Sequence, residues 1–327
     1  MSILTIAIPT YNRPEEMGLL YLKFIKKVIE DFSSDVEVIV CDNSDTCEQR
    51  KNEMLFNNTG VVYKKNIVNL GFSGNILKCI SEAKGDYIWI ISDDDSVDFE
   101  EFSKFMYWIK NTFLKNSKAI VLPFLGKNKQ LTNTKETWGN SKTLADLIKN
   151  RATIPFILFS GVIIKRPNLL EMKRVKEVAS QFHNNDFIQV PLFMTMIDKN
   201  GKITYYTEAL QEYQSSYQIR FSLYKMINSL ESVVMFIGDY FKLSDEIKRE
   251  VFVQCHYQRW MQWMMLHKAG VYEIKDADSA IWPLLWKWRK EHFRSLQGFA
   301  IALFCMLPKP LAEMVYKFKV KKAKNNA

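Results

Sequence analysis

Short apolar runs alternate with amphipathic segments through the first 125 residues, and this alternation restricts the fold more than any other feature. Five runs predict strands: ILTIAI (3–8), VEVIVC (36–41), VVYKK (61–65), YIWIIS (87–92) and AIVLPF (119–124). The segments between them have helical spacing: 15–31, 47–57, 73–84 and 99–114. Strands that alternate with helices predict an α/β fold, with a mainly parallel sheet flanked by helices.

Polar loops follow three of these predicted strands. They are PTYNR (9–13), DNSDT (42–46) and DDDS (93–96). In open α/β sheets, ligands bind beyond the carboxyl ends of the strands. We therefore expect the three loops to form one polar edge.

Three consecutive aspartates, Asp93, Asp94 and Asp95, follow the apolar run 87–91. Carboxylates suit Mg²⁺ or Mn²⁺, and Mg²⁺ is usually held by one or two carboxylates plus substrate phosphates. A solvated acidic turn or a helix cap explains the three residues equally well when they are taken alone. The other polar loops favour a cation site, and so does GFSGN (71–75), whose glycines permit close approach of an anion to a helix start.

Composition excludes several classes of protein. Hydrophobic residues make up 47% of the chain and charged residues 25%, as in ordinary folded proteins. The five cysteines include no CxxC pair, which argues against a disulfide framework or a zinc site. The start MSILTIAIPTYN does not resemble a signal peptide, and no apolar run reaches 18 residues. These features predict a cytoplasmic protein that does not span a membrane.

Positive charge is concentrated at the end of the chain. Residues 287–327 contain ten Lys and Arg against two Glu, a net charge of +8 out of +9 for the whole protein. Tryptophans interleave with these cations in IWPLLWKWRKEHF (281–293), and the apolar run GFAIALFCML (298–307) follows. This combination predicts peripheral attachment of 281–324 to an anionic membrane surface. The alternative is that 281–307 packs on the rest of the protein; nucleic acid is the less favoured partner because the apolar run suits lipid.

The character of the chain changes near residue 210, where long, aromatic-rich helical patterns replace the alternation. We therefore predict two domains, 1–210 and 211–327.

Three motifs together, LTIAIPTYNRPEEM (4–17), EVIVCDNSDT (37–46) and NLGFSGNILKCISEAKGDYIWIISDDDSV (69–97), resemble the family 2 glycosyltransferases of GT-A fold, of the bacterial surface-polysaccharide type. The resemblance is close over residues 1–125, loose over 125–220, and does not extend to the C-terminal third. It implies a catalytic domain that binds a nucleotide-sugar over 1–210.

The resemblance also implies a role for each matching residue. The nucleotide-sugar would be bound by Pro9, Thr10 and Tyr11 around the base, Asp42 on the base, Arg13 near the phosphates, Asn75 from the helix after the glycine turn, and Asp93 on the ribose. The metal, Mn²⁺ or Mg²⁺, would be held by Asp94, with Asp95 able to share either role. One departure is that the usual first acid of the family's DxD signature falls on Ser92.

Sugar transfer also needs a general base for the acceptor hydroxyl. The family places a carboxylate at the start of a later helix and inverts the anomeric centre. The best match is Asp186, in a helix predicted over 184–197, and His183 and Asp198 are weaker candidates. As a helix-start acid, Asp186 is also consistent with a purely structural role.

The resulting hypothesis is an inverting, metal-dependent glycosyltransferase. It would move a sugar from a nucleotide-sugar, with a UDP-sugar favoured, to a hydroxyl of a saccharide or lipid-linked acceptor in surface-polysaccharide biosynthesis at the inner face of the membrane. One alternative is a nucleotidyltransferase, which would need a basic, glycine-rich N-terminal loop that PTYNRPEE lacks. The other is a non-catalytic protein that binds sugar or membrane.

Overall fold

The computed structural model describes most of the 327-residue chain. The described residues are 2–112, 116–125, 131–132, 134–137, 140–149, 158–212, 218–219, 223–246, 248, 258–271, 273–274, 277–287, 289–292 and 296–325. Within them the chain divides into two compact units, Met1–Gln214 and Ser215–Ala327. The division falls four residues after the predicted one.

The strands are numbered here in chain order. They are β1 (Leu4–Thr10), β2 (Val36–Asp42), β3 (Val62–Lys65), β4 (Tyr87–Ile90), β5 (Ser96–Val97), β6 (Ser117–Val121), β7 (Phe124–Leu125), β8 (Leu131–Thr132), β9 (Val162–Lys165), β10 (Lys202–Tyr205), β11 (Gln211–Glu212), β12 (Gln218–Ile219) and β13 (Glu273–Ile274).

The helices of the first unit are α1 (Pro14–Leu20), α2 (Lys26–Phe32), α3 (Thr46–Phe56), α4 (Gly71–Glu82), α5 (Phe99–Asn111), α6 (Leu144–Lys149), α7 (Leu169–Gln181) and α8 (Gln189–Ile197). A wider π-helical turn, Tyr21–Ile25, joins α1 to α2. Those of the second unit are α9 (Leu223–Tyr240), α10 (Gln258–Lys268), α11 (Ala277–Lys287), α12 (Arg289–His292), α13 (Leu296–Met306) and α14 (Lys309–Asn325).

Seven strands form the main sheet, in the order β10-β6-β9-β4-β1-β2-β3. All neighbouring pairs are parallel except those of β9, which runs antiparallel to β4 and β6. The predicted α/β class, with a mainly parallel sheet flanked by helices and a helical C-terminal region, is confirmed. A second, small sheet, β5-β11-β7-β8, lies in the same unit.

The central strands are apolar because helices cover both faces of the sheet. β4 (YIWI) is buried at every position, as expected of a central strand in a covered sheet. Trp89 of β4 stacks on Phe102 of α5 with ring centroids 6.1 Å apart, and Phe24 meets Phe102 edge-on at 5.1 Å. This aromatic cluster fixes α5 against the sheet and so anchors the loop between β4 and α5, which carries the three aspartates.

The far end of that loop is fixed by a helix cap. Asp98 accepts hydrogen bonds from the backbone N–H groups of Glu100 and Glu101, at 2.8 and 3.0 Å, which satisfies two of the free donors at the start of α5. The backbone N–H of Asp98 donates to the carbonyl of Leu210. Both ends of the acidic loop are therefore held by secondary structure.

The helix predicted over 184–197 begins later than expected, at Gln189. Pro191 favours this later start, because it has no backbone N–H and is best accommodated in the first turn of a helix. Asn185 instead forms a turn, since its side-chain oxygen accepts a hydrogen bond from the N–H of Phe187 at 2.7 Å. Asp186 consequently lies in the turn before α8 and not on the helix.

Two other segments differ from their predicted form. The strand predicted over 157–165 is restricted to β9, after a 3₁₀ turn at Phe159–Gly161, and residue 157 lies outside the described residues. In the polar segment 125–142, the parts that are described include the short strand β8.

Within the described residues, no helix combines the length and the apolar character that a membrane crossing requires.

Candidate active site

The loops after β1 and β2 are joined by hydrogen bonds at one edge of the sheet. The backbone N–H of Asn12 donates to the hydroxyl of Ser44 at 2.7 Å. The Asn12 side chain donates to Asp45 at 3.0 Å and accepts from the Asp45 backbone N–H at 2.8 Å. Asn12 has a φ of 54°, in the left-handed region that asparagine tolerates better than most residues. These contacts confirm that the two loops lie side by side.

The acidic loop after β4 joins the same edge. Thr10, the last residue of β1, donates its hydroxyl to Asp93 at 2.8 Å. The Arg13 guanidinium donates to Asp93 at 2.9 Å and to Asp94 at 3.0 Å. The structure therefore brings Thr10 and Arg13 together with Asp93 and Asp94, although the two pairs lie 80 or more positions apart in the chain.

The three aspartates have different surroundings. Asp93 is buried, and burial raises its pKa to about 6, although the charge of Arg13 opposes the shift. Asp94 is exposed and accepts a hydrogen bond from the Ser92 hydroxyl as well as from Arg13. The pKa of Arg13 is raised, because the attraction of Asp93 and Asp94 outweighs the effect of its partial burial. Asp94 is thus the carboxylate that solvent and small ions can reach.

Asp95 turns back into its own loop. Its carboxylate accepts from the Ser92 backbone N–H at 2.7 Å and also hydrogen-bonds the Ser160 side chain. Burial raises the pKa of Asp95 to about 6, against the effect of these hydrogen bonds. Asp95 therefore shapes the acidic turn, and both of its partners are protein groups.

Asp42 ends β2 and is fully buried. One carboxylate oxygen accepts from the Ser44 N–H at 2.7 Å, and the other accepts from Asn52 at 2.8 Å and from the Tyr63 hydroxyl at 2.6 Å. Burial raises the pKa of Tyr63, as does its hydrogen bond to Asp42. Three of the roughly four acceptor positions of this carboxylate are thus occupied by protein groups.

A buried network of amide side chains connects the edge to α4. Asn75 donates to the carbonyl of Cys41 at 2.9 Å, and its side-chain oxygen accepts from Asn66 at 3.0 Å. Asn66 also donates to the side chain of Asn43 at 2.7 Å, and Asn43 donates to the Gly71 carbonyl at 3.0 Å. The network fixes the carboxyl ends of β1, β2 and β3 relative to the start of α4.

Asn43, Asn52, Tyr63 and Asn66 were not among the residues predicted for the site. Asn66 follows β3 directly, so the rule that polar residues follow strand ends could have identified it. Asn52 and Tyr63 have no comparable signal, because each lies within a helix or strand whose polar positions usually face solvent.

The residues predicted around the base lie at the end of β1. Pro9 is half-buried within the strand, whereas Tyr11 is exposed at the edge. Gly71 has a φ of 68°, which favours glycine. A Cβ on Gly74 would lie only 2.7 Å from the Leu70 Cβ, so packing within the turn explains that glycine.

The turn that contains Asp186 lies beside the start of α4. Ser73 is buried, and its hydroxyl lies 3.2 Å from the Phe182 carbonyl and 3.1 Å from the Asn185 carbonyl. Asn75, two residues further along α4, donates a hydrogen bond to the Cys41 carbonyl near the end of β2. The Ser73 contact therefore places the Asp186 turn near the same edge of the sheet as the polar loops.

The two weaker candidates for a base have other surroundings. His183 is exposed, with one ring nitrogen 2.8 Å from the Asn184 amide and the other 3.3 Å from the Ser180 carbonyl. Asp198 lies between α8 and β10. Asp198 precedes β10, and β10 runs in the same direction as β1. Asp198 therefore lies at the amino end of the strands, opposite the polar loops, and this position argues against it as the base.

The carboxylates of the acidic loop meet part of what a divalent cation requires. Within the described residues, no three Asp, Glu, His or Cys side chains converge as a ready-made metal site. One exposed carboxylate beside a buried one, Asp94 beside Asp93, fits an ion that takes its remaining ligands from phosphates and water. Arg13 shows that these two carboxylates accept a shared cation.

Comparisons with known proteins agree with this geometry. A family model described as glycosyl transferase family 2 matches residues 5–170, half of the chain. The abequosyltransferase RfbV of Salmonella typhimurium is 35% identical over 123 residues, which span 37% of this chain and 35% of that protein. The aligned segment thus covers about a third of that relative.

Two solved structures share the fold. S. aureus TarS, residues 1–349, superposes with a TM-score of 0.54 at 13% identity, over 98% of this chain and 92% of that one. The mannosyltransferase PcManGT of Pyrobaculum calidifontis, solved with GDP-Man and Mn²⁺, gives a TM-score of 0.50 at 11% identity, over 96% and 86%. The family model covers β1 to β4 and the three polar loops, and the chain belongs to the family 2 glycosyltransferases.

Proposed function

We propose that the protein is an inverting, metal-dependent glycosyltransferase that uses a nucleotide-sugar donor, with a UDP-sugar favoured. The observation that carries the proposal is the convergence of Thr10, Arg13, Asp93 and Asp94 at the carboxyl edge of the sheet. Family membership supports sugar transfer, and a TarS structure contains UDP-GlcNAc. The acceptor would be a hydroxyl of a saccharide or lipid-linked saccharide in surface-polysaccharide biosynthesis, in keeping with the similarity to an abequosyltransferase.

The nucleotide would lie across the ends of β1, β2 and β4. In this proposal Pro9, Thr10 and Tyr11 line the base pocket, and Asp93 contacts the ribose. Asp42 holds the pocket in shape through Ser44, Asn52 and Tyr63, and contacts the base through its remaining acceptor position. Asn75 keeps the strand ends in register through the Cys41 carbonyl.

Arg13 and Asp94 would meet the diphosphate. The Arg13 guanidinium has donors that fit phosphate oxygens as well as carboxylates, so a bound donor competes with Asp93 and Asp94 for it. Asp94, with Asp93 beside it, would hold Mn²⁺ or Mg²⁺, which supplies positive charge to the leaving diphosphate. Asp95 keeps the loop in the conformation that presents Asp94.

The proposed role of Asp186 is to accept the proton of the acceptor hydroxyl. The hydroxyl oxygen attacks the anomeric carbon, the bond from that carbon to the phosphate oxygen breaks, and the nucleoside diphosphate leaves with the bonding electron pair. A single displacement of this kind inverts the anomeric centre. The Ser73 contact supports this role, because it holds the Asp186 turn beside α4.

The two alternatives receive less support. A nucleotidyltransferase would hold a triphosphate in a basic, glycine-rich loop, but the loop after β1 has Arg13 as its only cation and contains no glycine. A non-catalytic binding protein would not need an exposed carboxylate such as Asp94 at the polar edge of the sheet.

The proposed location is the cytoplasm, with peripheral attachment to the inner face of the cell membrane through residues 281–324. The net charge of +8 on residues 287–327 supports this attachment, because anionic lipids attract Lys and Arg.

The decisive experiment is a screen of UDP-, GDP-, CDP- and dTDP-sugars for nucleotide release, with Mn²⁺, with Mg²⁺ and with EDTA. We expect release from one nucleotide class, abolished by EDTA. Release that is unaffected by EDTA would disprove the metal dependence. Absence of release and of binding for every nucleotide-sugar would disprove the proposed activity.

A further inference from the structure

Helix α14 exposes an apolar stripe along one side. Leu311, Met314, Val315 and Phe318 recur at the helical spacing i, i+3, i+4, i+7. All four are exposed, Met314 by 65% and Phe318 by 72%, whereas Ala312, next to Leu311 in the chain, is fully buried. Among the described side chains of α14, the small Ala312 is the buried one, while the large apolar side chains of the stripe are exposed.

Helix α13 repeats this arrangement. Ala302 and Cys305 are buried, while Phe299, Leu303 and Met306 are exposed. The seven exposed apolar side chains of α13 and α14 are called the apolar face below. Single exposed apolar residues are normal in soluble proteins, whereas exposed apolar residues that recur along a helix at i, i+3, i+4 and i+7 form an amphipathic face of the kind found at interfaces.

The charges around the apolar face indicate its partner. Lys309 and Lys317 are exposed on α14, and four more lysines follow in the same helix: Lys319, Lys321, Lys322 and Lys324. A second copy of the chain that packed through the same surface would bring like charges together. An anionic lipid bilayer offers an apolar layer below a negatively charged one, which matches both features.

Helix α11 and the residue that begins α12 carry side chains of the types that are common at membrane interfaces. Trp282 and Trp286 lie one turn apart and both are exposed. The Arg289 guanidinium stacks over the Trp286 ring, 4.6 Å from its centroid. Tryptophan and arginine are both suited to the headgroup region, where one side of the environment is apolar and the other is wet.

We propose that α13 and α14 lie in the surface of an anionic bilayer, with the apolar face in contact with the acyl chains and with Lys309 and Lys317 in contact with the headgroups. This assignment rests on the proposed peripheral attachment and specifies which side chains enter the lipid. It does not depend on the catalytic roles proposed above.

The test is co-sedimentation of the full-length protein with vesicles of phosphatidylcholine, alone or with about 30% phosphatidylglycerol. Three proteins are compared: the wild type, the double variant M314S/F318S, and the control M54S/L169S. The control removes two apolar side chains from the first unit that are 80% and 94% exposed. All these positions are exposed, so circular dichroism should show unchanged helix content, and no variant changes the net charge.

We expect the wild type and the control to bind the anionic vesicles and not the neutral ones, with release at about 0.5 M salt. M314S/F318S should bind at least about tenfold more weakly. If the wild-type protein does not co-sediment with anionic vesicles at low salt, the attachment itself is disproved.

If M314S/F318S binds vesicles as tightly as the wild type, the apolar face does not contact the lipid, although the attachment itself still holds. Light scattering distinguishes the remaining possibility. If the wild type is oligomeric and M314S/F318S is monomeric with unchanged vesicle binding, the apolar face joins copies of the chain and the lipid assignment is wrong.

Discussion

At the scale of single residues, Arg13 determines the state of the site before a donor binds. Its guanidinium lies between Asp93 and Asp94 and neutralises part of their charge. Asp93 is buried, and without this partner its charged form would be strongly disfavoured. We expect Arg13 to shift toward the diphosphate when a donor binds, because the proposed cation then takes over the two carboxylates.

The first prediction concerns Asp94. In D94N, affinity for UDP in the presence of Mn²⁺ should fall by at least about tenfold, because the exposed carboxylate of the proposed cation site is lost. Isothermal titration with and without EDTA measures this change. D31N is the matched control, since Asp31 is exposed on α2. A D94N protein that keeps the Mn²⁺ dependence of the wild type would place the cation elsewhere.

The second prediction concerns Asp186. In D186N, the rate of sugar transfer should fall by about 10²–10⁴-fold, as expected for loss of a general base. Binding of the nucleotide-sugar should be unchanged, because Asp186 is not proposed to contact the donor. Single-turnover kinetics and a binding titration on the same preparation separate the two effects. Full transfer activity in D186N would assign the base to another residue.

The third prediction uses the titration of Asp95. Its folded-state pKa, about 6, lies above the ordinary value of 3.8, so the neutral carboxyl is favoured in the folded protein. This contribution to stability is fully present below about pH 4 and is lost as the pH rises through about 6.

The variant D95N removes this titration but keeps an acceptor for the Ser92 N–H. Its stability relative to the wild type should therefore rise by about 1–3 kcal/mol between pH 4 and pH 8. Urea unfolding at the two pH values measures the difference. An equal difference at both pH values would mean that burial does not control the charge of Asp95.

At the scale of secondary-structure elements, β1, β2, β4 and β9 were predictable from the sequence because each is a short, largely apolar run. The polar edge was predictable because the loops after β1, β2 and β4 are visibly polar. The start of α8 was not predicted correctly: the pattern over 184–197 is helical, and it is Pro191 that favours the later start at Gln189.

The contacts within the site were less predictable. That Asp94 is exposed while Asp95 turns inward depends on Ser92 and Ser160, and Ser160 comes from a distant segment. The two hydrogen bonds to one oxygen of Asp42 depend in the same way on Asn52 and Tyr63. Such pairings are set by the packing of elements, and residue types at given spacings do not encode them.

The fourth prediction concerns the turn between α8 and β10. A Cβ on Gly201 would lie 1.8 Å from the Ile197 carbonyl oxygen, so the backbone must move in G201A. We expect a loss of about 3 kcal/mol in the free energy of unfolding. G18A is the control: Gly18 lies in α1 with nothing within 4 Å of an added Cβ, so alanine should stabilise the helix by about 0.5–1 kcal/mol. Denaturant unfolding of both variants tests the contrast, and equal effects would contradict it.

At the scale of the whole molecule, the two compact units differ in charge as well as in secondary structure. Nearly all of the net positive charge lies in residues 287–327, whereas the first 286 residues are close to neutral. All residues proposed to bind the donor lie in the unit Met1–Gln214, and the apolar face lies in the unit Ser215–Ala327. A ligand of the first unit therefore provides a probe of whether the two units unfold together.

The fifth prediction is that UDP with Mn²⁺ stabilises only the unit Met1–Gln214. At a concentration about 100 times the dissociation constant, a ligand adds about 2.7 kcal/mol to the stability of the unit that binds it. For a unit of this size the midpoint of thermal unfolding should rise by roughly 5–11 °C. Differential scanning calorimetry should then show two transitions, of which one shifts. D94N should reduce that shift and leave the other transition unchanged. A single transition that shifts as a whole would mean that the two units unfold as one, because stabilisation of one part is then shared by the entire chain.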